Sequence, residues 1–100
     1  MAGAPAVTLP GAPATAVAGQ AYSLSIAYSD PSANPAPFRL AVDWGDGTTT
    51  TGTYLTTYTA ARPLVRQKVY AGAGTYTVTV RVTDTYGATS APATVRVTVP

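Results

Sequence analysis

Thr75-Tyr76-Thr77-Val78-Thr79-Val80-Arg81-Val82-Thr83 decides the fold of this chain. Tyr76, Val78, Val80 and Val82 fall on every second position, and the residues between them carry a hydroxyl or a guanidinium. A period of two places one set of side chains on each face of a strand, one face dry and the other wet. Val and Thr are stiff at χ1 and suit a pleated surface better than a helix. The same alternation appears upstream in Tyr22, Leu24, Ile26 and Tyr28, set against Ser23, Ser25, Ala27 and Ser29, and again in Phe38, Leu40, Val42 and Trp44. Leu64 to Tyr70 reads as another strand, and Val95, Val97 and Val99 share one face of the last. Thr48 to Tyr58 adds one or two irregular strands, and Ala6–Leu9 and Thr15–Val17 are short edge pairings.

Turn signals separate these runs: Asp30 to Pro37, Gly45-Asp46-Gly47, Ala71 to Gly74, and Thr85 to Thr89. About seven short strands, each with one dry face, require two antiparallel sheets packed face to face. The expected fold is therefore an all-β, immunoglobulin-like antiparallel β-sandwich. One hundred residues suffice for one such core. The expected division is an extended Pro/Ala-rich arm over residues 1–13, free to lie along a neighbour, and the sandwich proper over 14–100. Within the sandwich, Trp44 and Tyr76 are expected to supply much of the core.

Composition excludes several chemistries. The chain has no Cys and no His, and its four acids are all Asp. Disulfides, thiolate nucleophiles, soft-metal ligands and imidazole bases are absent. The net charge of +2 reflects few acids rather than many bases, with Arg62, Arg66 and Lys68 grouped on one stretch. That is too sparse for a nucleic-acid surface, so no nucleic acid is expected as partner. No stretch has the length and apolarity of a membrane span, and residues 1–21 lack the basic start and unbroken apolar run of a signal peptide.

Val42-Asp43-Trp44-Gly45-Asp46-Gly47 resembles the signature of the polycystic-kidney-disease (PKD) domain family, an aromatic-Asp-aromatic-Gly-Asp-Gly run. Ser29-Asp30-Pro31 resembles the family's Ser-Asp-Pro, and Tyr70 through Gly74-Thr75-Tyr76-Thr77-Val78 its Tyr-x-x-x-Gly-Thr-Tyr-x-Val. Val42 replaces an aromatic, Lys68 a frequent His, and Arg66 an apolar residue. The stretch from Gly47 to Tyr70 is longer than the family pattern. The resemblance implies that Asp43, Trp44, Gly45, Asp46, Gly47, Tyr70, Gly74 and Tyr76 are structural. It also implies a non-enzymatic spacer or binding module, as in adhesins, surface layers and secreted hydrolases, or in related domains that decorate phage virions.

No catalytic constellation can be drawn. A serine nucleophile lacks a base, and the four acids are expected to split between the poles of the sandwich, Asp30 with Asp84 and Asp43 with Asp46. Asp46 is expected to bond turn N–H groups, and Asp43 to point outward toward an Arg or Thr. No cofactor is expected. Calcium at Asp30 and Asp84 is the one metal candidate, and two carboxylates fall short of its 6–8 oxygens. Lys68 is expected at a strand surface rather than in an isopeptide bond. The candidates for partner contact are Tyr54, Leu55, Tyr58, Arg62 and Arg66 in the extra segment, with Tyr86 in a loop, because aromatic and Arg side chains anchor interfaces.

These readings lead to a non-catalytic module whose partner is a protein lattice (capsid or tail), another surface protein or a cell-surface glycan. Its expected place is a virion surface or the extracellular space. The absence of an export signal in a fold normally secreted favours the virion decoration role over an accessory domain of a hydrolase or adhesin.

Overall fold

A computed structural model of the chain describes residues 4–30 and 36–100. Seven strands run in order: β1 (Ala6–Thr8), β2 (Ala21–Ser29), β3 (Phe38–Asp43), β4 (Thr49–Tyr54), β5 (Leu64–Val69), β6 (Gly74–Thr83) and β7 (Ala93–Val99). They form two antiparallel sheets, β1-β2-β5 and β4-β3-β6-β7. The all-β sandwich read from the alternation is the observed architecture. Residues 31–35, most of the loop expected after Asp30, lie outside the described residues, as do 1–3 of the arm.

The dry faces meet in one core. Leu24 and Ile26 of β2, Leu40 and Val42 of β3, Val78, Val80 and Val82 of β6, and Val97 of β7 are closed to solvent, with Trp44 and Tyr70 at one pole and Phe38 at the other. Trp44 is held at every polar atom. Its N–H donates to the Thr48 carbonyl, its indole N–H to Thr50 Oγ1 (2.8 Å), and its own carbonyl accepts the Tyr70 hydroxyl (2.9 Å). Tyr76 is the exception to the expected core. It is only half-buried and stacks on Tyr70, ring centroids 4.4 Å apart, so Tyr70 takes the interior place. The reason is position: Tyr76 lies near the start of β6, and its hydroxyl turns out to the Gly72 carbonyl.

Strand register places the wet residues in rows. On the outer face of the four-stranded sheet, Arg39 stands between Thr53 and Thr83, and Asp43 between Thr49 and Thr79. The outer face of the other sheet carries no charge along its β2–β5 ladder. Ala21, Ser23 and Ser25 face Val69, Gln67 and Val65 there.

Part of the arm pairs within the chain. Ala6–Thr8 pairs with β2 as β1. Farther on, Thr15 makes a parallel bridge to Thr98, with Ala16 N–H bonded to the Thr98 carbonyl and Thr98 N–H to the Ala14 carbonyl. Its backbone groups thus find partners within the chain itself.

Candidate functional site

Two places combine exposed or reachable side chains with a fixed frame: the β4–β5 connection, and the turns that end β3 and β6. Residues 55–63 cross from one sheet to the other. Tyr28 fixes them, since its N–H donates to the Tyr58 carbonyl (2.9 Å) and its hydroxyl to the Thr56 carbonyl (2.7 Å). Thr59 and Arg62 then exchange backbone hydrogen bonds and close a tight turn. Leu55 stands 79% exposed at the start of this connection. Beyond it Tyr58, Arg62, Pro63 and Thr56–Thr59 line an open hollow of about 390 Å³.

Tyr54 and Tyr58 are half-buried, not free anchors. Edge-to-face and tilted contacts run from Tyr54 to Tyr58 (5.8 Å), to Tyr28 (5.8 Å) and on to Phe38 (5.1 Å). Tyr54 also folds back over Gly52, where a Cβ would lie 2.6 Å from the phenol oxygen. Arg66 caps this ladder with its guanidinium 5.2 Å from the Tyr54 ring centre, and donates to the Val65 carbonyl. Of the expected contact residues, Leu55 and Arg62 face solvent, while Tyr54, Tyr58 and Arg66 pack against the molecule itself. Tyr86 is 54% exposed in the β6–β7 connection, apart from that group.

Lys68 is partly exposed and its head group is paired. Its ammonium lies 2.8 Å from Asp46 Oδ2 and 2.8 Å from Thr48 Oγ1. The parity that buries Leu64 and Tyr70 also turns Arg66 and Lys68 inward, toward the gap between the sheets. That parity was visible in the sequence; the partners across the gap were not.

Asp46 holds its turn as expected, accepting from Thr48 N–H and the Thr48 hydroxyl on Oδ1. The charge-assisted hydrogen bond from Lys68, helped by Thr48, lowers its carboxyl to about 2. Gly45 is required beside it: φ is +82°, and a Cβ would lie 2.6 Å from the Thr77 carbonyl oxygen. Asp43 does not reach an Arg. Its Oδ1 accepts from the Gly45 N–H (2.9 Å), a local turn bond.

Asp84 is buried at the other pole, past the end of β6. Its Oδ1 accepts from the Tyr86 and Ala88 N–H groups, and its Oδ2 is shut from solvent without a hydrogen-bond partner. Asp30 follows β2 at this same pole, so the acids do divide two and two. Among the described residues no three acidic, His or Cys side chains gather as a metal cage. Burial pushes the Tyr28 and Tyr70 hydroxyls up to about 12, and raises that of Tyr22, which donates to the Pro13 carbonyl.

The sequence pattern of the PKD domain matches residues 2–99, and with it the motifs around Trp44 and Tyr70–Val80 take the places just described. The chain belongs to the PKD domain family. Its structure is similar to the PKD domain of an M14-like peptidase from a Thermoplasmatales archaeon, with TM-score 0.75 and 26% identity over 99% of this chain and 95% of that one. It is also similar in fold to fibronectin(III)-like modules of CbhA from Clostridium thermocellum, with TM-score 0.66 and 20% identity, over 96% of this chain and 46% of that one. Among curated proteins no significant match is found. PKD domains are in general non-catalytic immunoglobulin-like modules. Among the described residues of this PKD domain no helix is long and apolar enough to cross a membrane.

Proposed function

We propose that this PKD domain is a non-catalytic accessory module of an extracellular protein, a spacer that also binds a surface partner through residues 55–63. The likeness carrying the first half is the PKD domain of the M14-like peptidase, which is matched over nearly its whole length. It supports the accessory role over the virion role, for which the fold offers no separate support. The second half rests on preorganisation. Tyr28 and the Thr59–Arg62 turn hold the connection, so Leu55 and Arg62 are presented without an ordering cost at binding. Among the described residues, the hollow at Arg39 has Arg39 and the buried Asp84 as titratable groups and the hollow at residues 56–63 has Tyr58 and Arg62, and neither sets a nucleophile beside a base or gathers a metal cage.

The test is adsorption of the domain, fused to a fluorescent reporter, to insoluble polysaccharides, fibrous proteins and purified phage particles. Wild type should be retained on one of these matrices, and a Leu55→Asp/Arg62→Ala variant should be released from it while melting normally. Equal partition of the reporter with and without the domain would sink the binding role. Retention on phage particles alone would favour the virion role, and cleavage of any matrix would overturn the non-catalytic reading.

A further inference from the structure

The outer face of the four-stranded sheet differs from the rest of the surface. Arg39, Arg81 and Arg96 are all exposed on it. Register sets them on a diagonal: Arg39 lies opposite Thr83, Arg81 opposite Ala41, and Arg96 opposite Thr77. With about 4.8 Å between strands and about 6.7 Å between successive outward residues, Arg39 and Arg81 stand roughly 8 Å apart at their Cα atoms and Arg96 roughly 14 Å farther on. Asp43 is the one acid on the face, and its Oδ1 is bonded to the Gly45 N–H. Among the described residues, none of the three arginines has a carboxylate partner. The positions between them are mostly threonines, and no aromatic side chain stands on the face.

We propose that this face docks an acidic polysaccharide, a polymer carrying carboxylates along a hydroxylated backbone. Its three cations against one acid supply charge complementarity along a line. Guanidinium groups suit planar carboxylates, and hydroxyl rows exchange hydrogen bonds with sugar hydroxyls in either direction. The lack of aromatic rings removes the platform that neutral sugars and nucleobases stack on. At the Arg39 end the stripe runs into a hollow of about 310 Å³, lined by Arg39, Thr53, Thr83 and Asp84. Asp84 is buried beneath that hollow, so Arg39 and the Thr53 and Thr83 hydroxyls are what it offers a sugar ring. This inference takes its extracellular setting from the reading above and adds a second binding surface, independent of residues 55–63.

The experiment is affinity electrophoresis of the domain through gels containing polygalacturonate, dextran, single-stranded DNA or polyglutamate, at low and high salt. Wild type should be retarded by polygalacturonate and not by dextran, and retardation should fade as salt rises. The Arg39→Gln/Arg81→Gln/Arg96→Gln variant should bind at least about tenfold more weakly, with Arg81→Gln and Arg96→Gln alone giving intermediate losses should the triple variant melt early. Gln67→Ala, on the uncharged outer face of the other sheet, should bind polygalacturonate like wild type, which ties the retardation to the arginine face. Absence of retardation at low salt, undiminished binding by the arginine variants, or equal binding to DNA or polyglutamate would each overturn the proposal.

Discussion

Asp46 and Asp84 each organise a turn, at opposite poles of one sandwich, and their environments differ in almost every respect. Asp46 is partly exposed and shares its charge with Lys68 and Thr48. Asp84 is buried, has no ion pair among the described residues, and is held by two backbone N–H groups. An aspartate next to water can draw on a mobile lysine, whose contribution is modest and salt-sensitive. A buried one has to be satisfied by the backbone it folds, so the loop and the carboxylate depend on each other. The first turn is braced from outside. The second is built around its acid.

The largest test of that contrast removes what the Asp46 turn hangs from. Trp44→Ala should cost about 3–5 kcal/mol, because it opens a cavity and strips Thr50 Oγ1 of the indole N–H, while the backbone bond from residue 44 to the Thr48 carbonyl stays. A shift of a degree or two in the melting temperature would mean that the turn does not depend on the core.

Alkali should act on both poles together, since each has one buried tyrosine with its hydroxyl pushed up to about 12, Tyr70 near Asp46 and Tyr28 against Phe38 at the other pole. A folded-state value above the unfolded 10.0 means that the stabilisation is complete below pH 10.0 and is lost as pH rises toward about 12. Melting temperatures should fall through that interval, and Tyr28→Phe should flatten the fall. An unchanged slope in that variant would place the sensitivity elsewhere.

Asp84→Ala should come next, at about 1–3 kcal/mol in urea unfolding, because Tyr86 and Ala88 N–H groups lose their acceptor. Asp46→Asn and Lys68→Met should each cost less than about 1 kcal/mol and converge with wild type at high salt. If the two aspartates gave equal losses, burial would not be what separates them.

The smallest effect expected is acid sensitivity from Asp46. Its carboxyl is lowered from 3.8 to about 2 on folding, so its contribution is present above pH 3.8 and is lost as pH falls toward about 2. Solvent around the pair keeps that contribution small. With neither His nor Cys in the chain, stability should be level from pH 5 to 8. An acid limb that persists unchanged in Asp46→Asn would assign it to another carboxyl.

The alternation of Tyr76 to Val82, Tyr22 to Tyr28 and Phe38 to Trp44 made the two-sheet fold legible, because a half-buried strand writes its environment into every second residue. Asp46 between two glycines was legible for the same kind of local reason. What stayed hidden needed partners distant in the chain. Tyr54 and Tyr58 look like contact anchors until Tyr28 and Phe38 are seen beneath them, and Lys68 looks like a surface cation until Asp46 appears opposite it. Composition near Arg39, Arg81 and Arg96 gave no hint that they share a face, since only strand register brings them together.

The strap from Ala14 to Ala16 has one more consequence. It runs parallel to the end of β7, joined by Ala16 N–H to the Thr98 carbonyl and Thr98 N–H to the Ala14 carbonyl. A pull that draws the two ends of the chain apart drives parallel neighbours past each other. Both hydrogen bonds are then loaded at once in shear, where an antiparallel pair pulled from its open end would unzip one bond at a time. With β1 laid on the opposite sheet, the same arm must be dragged across the sandwich before either sheet can open. Pulled from both ends, the domain is held first by this terminal strap.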